Sequence, residues 1–293
     1  MLLIGLHVTP DAASFLGGKV DESAPSTSGV VVSAAASTRP VLTFRNFSLR
    51  CDKSDPQVSF QAPWNWELGQ AKRIAVISNS SFLRYQLSAA IAGLVPPVSG
   101  EMLTDGVIGW PVGGEGGLDG KLRITHAINF LTKVYSDCLE KSLVSVDEFW
   151  AFMSAAEINP RSIIKELSRE QKDCFFLAIS VLFSFDIYLI SKTRFLMSKQ
   201  ARPLRALLMK QLEGKTLFST STNNRFQREF CTDGLVLGSM GQILFAGGVS
   251  EAIAWADQNL EGSDVSDSDE DQLEMGMNFL NSESSDEQMD DFV

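Results

Sequence analysis

The chain has 293 residues, of which 44% are hydrophobic, enough to bury one sizeable core and a second, smaller subdomain. Its four cysteines lack the close spacing of a metal knuckle or a disulfide framework, and its two histidines are too few for most metal or triad chemistry. The formal net charge of -11 is concentrated at one end: residues 261–293 hold twelve of the 36 acids and no Lys or Arg. Residues 1–260 therefore carry 24 acids against 25 bases, and we expect this body to be nearly neutral.

The N-terminal residues 1–39 are rich in Ser, Ala, Gly and Val, a composition that predicts a disordered extension. The first residues, MLLIGLH, carry no basic residue before their apolar run, so they do not predict a secretory signal. The longest apolar stretch, residues 174–185, contains two serines and is too short to span a bilayer. We expect a soluble protein, or one that reaches a membrane only through partners.

A small antiparallel layer is predicted next. Residues 41–49 alternate apolar and polar side chains, which predicts a strand, and residues 57–62 are its predicted partner. Phe44 and Phe47 on the first strand are expected to lie in the core.

Residues 73–100 predict a strand, a loop and a helix. Residues 74–77 are four consecutive apolar side chains, as in a strand buried on both faces of a parallel sheet. Leu87, Ile91 and Leu94 recur at helical spacing, and the two prolines that begin at Pro96 end the helix. This is the scaffold of a phosphate-binding P-loop.

The loop of this unit departs from the P-loop pattern G-x-x-x-x-G-K-[ST], whose glycines, lysine and hydroxyl bind phosphate and Mg²⁺. On that spacing the two glycines are replaced by Ser78 and Leu83, the lysine by Arg84, and the hydroxyl residue by Tyr85. A leucine brings a side chain where backbone must approach phosphate, and tyrosine is a poor replacement for a Mg²⁺ ligand. The predicted degenerate loop comprises Ser78, Asn79, Ser80, Ser81, Phe82, Leu83, Arg84, Tyr85 and Gln86.

Two segments resemble ATP-binding cassette (ABC) ATPases. The helix end and the turn after it, AAIAGLVPPVSGEM, are similar to the segment that follows the P-loop in ABC transporters. Residues 110–122 strongly resemble the pattern W-P-x-G-x-x-G-G-F-x-G-x-L of ATP-binding subunits of capsular-polysaccharide and O-antigen exporters, although Leu118 replaces its Phe. This part of that family faces the membrane subunits. The resemblance therefore implies contact with a membrane partner through Trp110, Pro111, Gly116, Gly117 and Asp119.

Residues 124–167 predict several helices, in the place of the ABC helical subdomain. One predicted apolar face carries Ala127, Phe130, Leu131 and Val134, and another carries Val146, Phe149, Trp150 and Met153. His126 has no Cys or carboxylate at ligand spacing, so we interpret it as a surface or helix-cap residue rather than a metal ligand.

The segment Leu167, Ser168, Arg169, Glu170 and Gln171 resembles the ABC signature L-S-G-G-Q. In that family the glycines present backbone to the γ-phosphate of ATP on the opposing subunit. Here Arg169 and Glu170 replace them, and a carboxylate at that place repels phosphate. The alternative is an ordinary helix start, with Ser168 as N-cap and Gln171 three residues later.

Residues 186–190 predict the strand that in a working ABC ATPase ends in Asp-Glu, which bind Mg²⁺ and polarise water. The aligned residues are Ser191 and Lys192, neither of which is a carboxylate. After a helix and a further strand, Thr222 takes the place of the family's γ-phosphate histidine. A closing hairpin with its turn at Met240 and Gly241 is then predicted, followed by a helix.

The resemblance spans residues 41–256 and implies an α/β P-loop NTPase of the ABC type: a parallel sheet, an N-terminal antiparallel layer and a helical subdomain near residues 124–167. Residues 40–260 are the predicted domain, and residues 1–39 and the acidic tail, residues 261–293, are predicted to be disordered. The tail contains a short amphipathic insert, residues 273–280, which is either solvated or a partner-binding peptide.

The replaced residues predict a degenerate ABC subunit that does not hydrolyse ATP and acts structurally or by regulation in polysaccharide export. No cofactor is certain; ATP binding would be weak, and Mg²⁺ is not expected. The predicted partners are a membrane permease of a polysaccharide exporter and a competent ATP-binding subunit, with no nucleic acid, and the predicted location is the cytoplasmic face of the inner membrane. The alternatives are a weakly active subunit that still energises transport and an adaptor acting through its acidic tail.

Overall fold

The computed structural model describes residues 40–260, so the predicted N-terminal extension and acidic tail lie outside the described residues. The strands are β1 (Pro40–Ser48), β2 (Trp64–Gly69), β3 (Arg73–Ile77), β4 (Ser99–Thr104), β5 (Ile187–Ile190), β6 (Thr216–Ser219), β7 (Asp233–Leu237) and β8 (Ile243–Gly248). The helices are α1 (Ser81–Ile91), α2 (Ile124–Val134), α3 (Ser136–Glu140), α4 (Val146–Ala155), α5 (Arg169–Leu182), α6 (Arg202–Gln211), α7 (Asn224–Phe230) and α8 (Val249–Asn259). A short 3-10 helix, Ile164–Glu166, precedes α5.

A three-stranded antiparallel sheet with the order β2-β1-β4 forms the N-terminal layer. The strand predicted at residues 41–49 is confirmed as β1, and both of its phenylalanines are buried among the rings of β2. The predicted partner strand at residues 57–62 is wrong, because only an isolated bridge joins Arg50 to Ser59 there. Trp64 and Trp66 instead point into the core from alternate positions of β2 and make it the pairing strand.

The central sheet has five strands in the order β5-β6-β3-β7-β8. The pairs β5-β6, β6-β3 and β3-β7 are parallel, as predicted, and the closing hairpin adds β8 antiparallel to β7, so the sheet is mixed. The hairpin turns at Met240 and Gly241, and Gly241 has φ of +74°, which favours glycine. The carboxyl ends of β3 and β6 are neighbours, so the loops that follow them meet at one edge of the sheet.

Helices α2 to α4 form the predicted helical region after β4. On α2 the buried face is Ala127, Ile128 and Leu131, whereas Phe130 is 57% exposed and Val134 54% exposed. The predicted apolar face was therefore wrong by part of a turn: Ile128 replaces Phe130 and Val134 on the buried side. His126 is exposed on the first turn of α2, as expected.

No helix within residues 40–260 combines the length and the apolar character needed to cross a bilayer.

Candidate functional site

The loop after β3 is short. Only Ser78, Asn79 and Ser80 separate the strand from α1, which begins at Ser81. Ser80 is the N-cap of α1, and its hydroxyl accepts a hydrogen bond from the backbone N–H of Leu83 at 3.1 Å. The second half of the predicted P-loop spacing, residues 81–85, is therefore helical and does not form a loop.

The backbone of this loop does not form an anion-binding nest. A nest needs residues that alternate between right-handed and left-handed conformations, so that successive N–H groups converge on one point. Within residues 40–260 the non-glycine residues with positive φ are Asn46, Ala71 and Glu157, and none of them lies between residues 78 and 86. The replacement of both motif glycines thus coincides with a backbone that stays outside the left-handed region.

Arg84 lies beneath the loop. Its side chain is 1% exposed, and its guanidinium Nη1 donates a hydrogen bond to the backbone carbonyl of Ser78. The cation that the P-loop pattern places against phosphate is here directed at the protein's own backbone. Tyr85 is half-buried, and burial raises the pKa of its hydroxyl, so this residue is a neutral phenol at physiological pH.

Ser191, which the ABC resemblance aligns with the Mg²⁺-binding aspartate, belongs to a chain of buried hydroxyl groups. Its Oγ lies 2.9 Å from Oγ of Ser88 on α1, and Thr220 Oγ1 donates to it at 2.9 Å. Ser191, Ser88 and Thr220 are 6%, 5% and 2% exposed. This hydroxyl chain joins α1 to the carboxyl ends of β5 and β6 with neutral hydrogen bonds.

Thr222 and Lys192 are both predicted site residues near the ends of strands, but only Thr222 lines a cavity together with the loop after β3. A cavity of about 260 Å³ between the ends of β3 and β6 and the helices α7 and α8 is lined by Ser78, Asn79, Arg84 and Thr222, among others. Ser191 does not line this cavity, although it contacts α1 one helical turn beyond Arg84 through Ser88. Lys192 is half-buried and is also absent from the lining.

The signature-like segment begins α5 with a capping box. The Ser168 hydroxyl accepts from the backbone N–H of Gln171 at 3.2 Å, and Gln171 Oε1 accepts from the backbone N–H of Ser168 at 3.1 Å. Gln171 also donates to the carbonyl of Glu157 at 3.1 Å, which ties α5 to the end of α4. Ser168 and Gln171, two of the three motif residues that match the family, thus take the structural roles of the alternative interpretation, and Arg169 and Glu170 are exposed beside them.

Residues 110–120, here called the tryptophan-glycine loop, are held in place by the contacts of Trp110. Trp110 Nε1 donates to Ser180 Oγ at 3.2 Å, and its ring packs against Tyr135 and Phe185. Gly116 has φ of +60°, and a Cβ there would lie 3.2 Å from the indole ring. Trp110 therefore fixes the loop, whereas Gly117 and Asp119 lie on its exposed side, and Pro111 is half-buried.

Four residues that sequence reasoning missed support these positions: Ser88, Ser180, Thr220 and Gln227. Ser88 and Thr220 complete the hydroxyl chain, Ser180 holds Trp110, and Gln227 lines the cavity. Polar residues inside otherwise apolar runs were the available signal, as for Ser180 within residues 174–185. The described part of the chain holds no cluster of three or more His, Cys, Asp or Glu side chains suited to a metal ion.

Sequence comparison finds named homologues. The chain is 29% identical over 184 residues to the polysialic acid transport ATP-binding protein KpsT of Escherichia coli, which covers 62% of this chain and 82% of that protein. It is 21% identical over 174 residues to the capsule polysaccharide export ATP-binding protein CtrD of Neisseria meningitidis serogroup B, which covers 59% of this chain and 79% of that protein. No protein-family model matches the chain.

Solved structures agree on the fold. An ATP-binding subunit of an ABC transporter superposes with a TM-score of 0.55 at 15% identity, covering 81% of this chain and 99% of the other. CbiO1 of Clostridium perfringens, part of the ABC transporter complex cbiONQ, superposes with a TM-score of 0.51 at 14% identity, covering 75% and 96%. The chain therefore has the ABC ATPase-like α/β fold and is homologous to the polysaccharide-export ATP-binding proteins.

Proposed function

We propose that this homologue of polysaccharide-export ATP-binding proteins is an ABC subunit that does not hydrolyse ATP and that serves a polysaccharide exporter in a structural or regulatory role. The proposal rests on the loop after β3. Helix α1 begins already at Ser81, and no residue of the loop has a positive φ. Arg84 donates a hydrogen bond to the carbonyl of Ser78. Phosphate binding by a P-loop depends on converging backbone N–H groups and a free cation.

The residue types at the positions of the Mg²⁺ ligands support the same proposal. The positions of the Mg²⁺ ligands hold Tyr85 and Ser191, and the position of the water-polarising glutamate holds Lys192. Ser191 uses its hydroxyl in bonds to Ser88 and Thr220. A hydroxyl chain of this kind offers no negative charge to a divalent cation, whose preferred ligands are carboxylates and phosphate oxygens.

Nucleotide-binding calorimetry with and without Mg²⁺, followed by a turnover assay, tests the proposal. We expect no Mg²⁺-dependent gain in ATP affinity and no hydrolysis above a protein-free blank. KpsT of Escherichia coli, named an ATP-binding protein, is the matched positive control. Tight Mg·ATP binding with measurable turnover would instead favour the weakly active transport subunit.

For a partner, we propose the membrane permease of an exporter, contacted through the tryptophan-glycine loop and the neighbouring face of α2. Phe130 and Val134 are exposed on consecutive turns of α2, and Tyr135, the next residue, packs on Trp110. Exposed aromatic and aliphatic side chains beside a rigid loop are typical of a protein-protein contact. A competent ATP-binding subunit is the proposed second partner.

Membrane association in the native host tests this contact. We expect the double variant Phe130→Ser, Val134→Ser to lose most of the membrane-bound fraction, because the exposed apolar area is removed without touching the core. The control is Leu94→Ser, which removes a side chain of 60% exposure in the turn that follows α1. Equal membrane-bound fractions for the double variant and the control would show that the permease does not dock on this face.

A further inference from the structure

The loop after β5 and helix α6 form a strongly basic stretch. Residues 187–212 contain no acid and six bases, which are Lys192, Arg194, Lys199, Arg202, Arg205 and Lys210. Helix α6 begins with Arg202, and its first turn contains no acidic residue. A cation in the first turn is opposed by the positive end of the helix dipole, so an anionic partner beside this turn would be stabilising.

Hydrogen bonds hold this stretch against the segment that leads into α7. Thr193 Oγ1 lies 2.8 Å from Ser221 Oγ, so the loops that follow β5 and β6 are in contact. Arg205 Nη1 donates to the carbonyl of Leu196 at 3.1 Å, and its Nε lies 3.6 Å from Glu229 Oε1 on α7. The beginnings of α6 and α7 therefore lie together beyond the carboxyl ends of β5 and β6.

Exposed cations lie around this contact between α6 and α7. Arg202 precedes Arg205 by three residues on α6, and Arg225 precedes Glu229 by four residues on α7, so each lies one turn from the pair. We define the basic surface as the exposed side chains of Lys199, Arg202, Arg225 and Arg228. Within residues 40–260 none of these four forms an ion pair. Unpaired charges of one sign in one place attract a polyanion.

The described part of the chain ends next to the basic surface. Leu260, the last described residue, and Asn224, the first residue of α7, line the same cavity, and Arg225 follows Asn224 directly. Residues 261–271 come next in the sequence and contain six acids and no Lys or Arg. Eleven residues span at most about 36 Å, which is more than twice the length of about 15 Å of the ten-residue helix α6. These acids can therefore reach every cation of the basic surface.

We propose that the acidic residues 261–271 bind the basic surface of the same molecule. A single exposed ion pair is weak, but several pairs formed by an attached segment act together, because the attachment raises the effective concentration of the acids. The bound segment covers the rim of the cavity between Leu260 and Asn224. This inference goes beyond the proposed function and does not depend on whether the protein hydrolyses ATP.

Carbodiimide cross-linking of the full-length protein tests the proposal, because this reagent joins a lysine amine directly to a carboxylate. We expect mass spectrometry to find Lys199 linked to carboxylates of residues 261–271 in the product of monomer mass. The yield should fall in about 1 M NaCl, where the Debye length is only about 3 Å. Lys133, which is exposed on α2, is the internal control and should give no such links.

Two double variants with the same change in net charge assign the binding to the basic surface. Arg202→Glu with Arg225→Glu replaces attraction by repulsion, and we expect it to lower the yield of the Lys199 links about fivefold. The control is Lys210→Glu with Lys53→Glu, which should leave that yield unchanged. Lys210 lies about 12 Å beyond Arg202 along α6, and Lys53 lies in the loop between β1 and β2. All four side chains are exposed, so both variants are expected to fold.

The remaining outcomes each overturn the proposal. Links found only in the product of dimer mass would assign the acidic segment to the surface of a second copy. Equal yields from the two double variants would show that the segment binds elsewhere. If Lys199 gave no more links than Lys133, the docking would be refuted, and phosphatidylglycerol vesicles that bind the wild type but not Arg202→Glu with Arg225→Glu would assign the surface to an anionic membrane.

None of these measurements involves nucleotide. Failure of the docking therefore leaves the proposed function standing, whereas turnover of Mg·ATP would refute the proposed function and leave the docking untouched.

Discussion

Replacing Ser191 by aspartate puts back the residue type that the ABC resemblance expects at the end of β5, and we expect the protein to be destabilised by it. Ser191 is 6% exposed and lies between the hydroxyls of Ser88 and Thr220, each at 2.9 Å. An ionised carboxylate there would be buried without a cation, a situation that costs about 3–5 kcal/mol. Ser191→Ala only removes two neutral hydrogen bonds and should cost about 1–3 kcal/mol.

The stability of the Ser191→Asp variant should also depend on pH, and the direction of this dependence can be predicted. Burial disfavours the charged form, so the introduced carboxylate should have a folded pKa above its unfolded value of about 3.9. A group whose folded pKa is raised leaves the protein most stable below the unfolded pKa and less stable as pH rises towards the folded pKa. The loss is about 1.4 kcal/mol per pH unit over that interval. Ser191→Ala should show no such added slope.

Urea denaturation at several pH values, with and without Mg²⁺, measures these differences. Ser239→Asp is the control, because Ser239 is exposed in the turn between β7 and β8 and a new charge there stays in water. We expect the order of stability loss to be Ser191→Asp, then Ser191→Ala, then Ser239→Asp. If millimolar Mg²⁺ restored the aspartate variant to wild-type stability, a competent metal site would have survived and the proposed function would have to be abandoned.

Three further substitutions test individual interactions that the structure shows. Ser168→Ala removes the N-cap of α5 and should cost about 1 kcal/mol in chemical denaturation, with no effect if the capping box is unimportant. Partial burial raises the pKa of Asp186, but the N–H of Val107 and the Lys215 ammonium lower it more, so the net pKa lies below its ordinary value of 3.8. The wild type should therefore lose this contribution as pH falls below about 4, whereas Asp186→Asn should lack that acid-dependent step in a denaturation series. Gly116→Ala imposes a positive φ on alanine against the indole of Trp110 and should lower the melting temperature and shift tryptophan fluorescence, whereas an unchanged spectrum would show that the loop is not fixed from inside.

The fold was largely predictable because its strongest signals are local. The apolar run of β3, the run of β5 and the hairpin around Met240 each specify an element without reference to distant residues. The pairing partner of β1 was missed because the two tryptophans of β2 contribute through contacts with phenylalanines on another strand. The face of α2 was misplaced because Phe130 and Ile128 are equally apolar, and only packing decides which of them is buried.

The sequence was sufficient to predict which site residues differ from the ABC pattern. It was not sufficient to predict the contacts that the differing side chains make. The resemblance to ABC ATPases aligns Arg84 and Ser191 with positions of the nucleotide chemistry, and the structure puts Thr222, but not Ser191, in the lining of the same cavity as Arg84. Spacing could not indicate that Ser88 would bond to Ser191, since the two residues are 103 positions apart. It also could not show the unsatisfied oxygen of Gln227, because satisfaction of a polar atom depends on every neighbour around it.

Ser191 and Arg84 both form hydrogen bonds to other groups of the chain, and this supports the proposed structural role. An aspartate at residue 191 would leave a buried negative charge unless a cation were bound beside it. In this chain a serine pairs with Ser88 and Thr220, and an arginine pairs with the carbonyl of Ser78. Ser191 and Arg84 therefore each have a hydrogen-bond partner within the chain without nucleotide or metal, whereas Gln227 Oε1 at the same edge has none within residues 40–260. Introducing aspartate at residue 191 would break the bonds to Ser88 and Thr220 before it added any chemistry, so this single change should reduce stability without giving turnover.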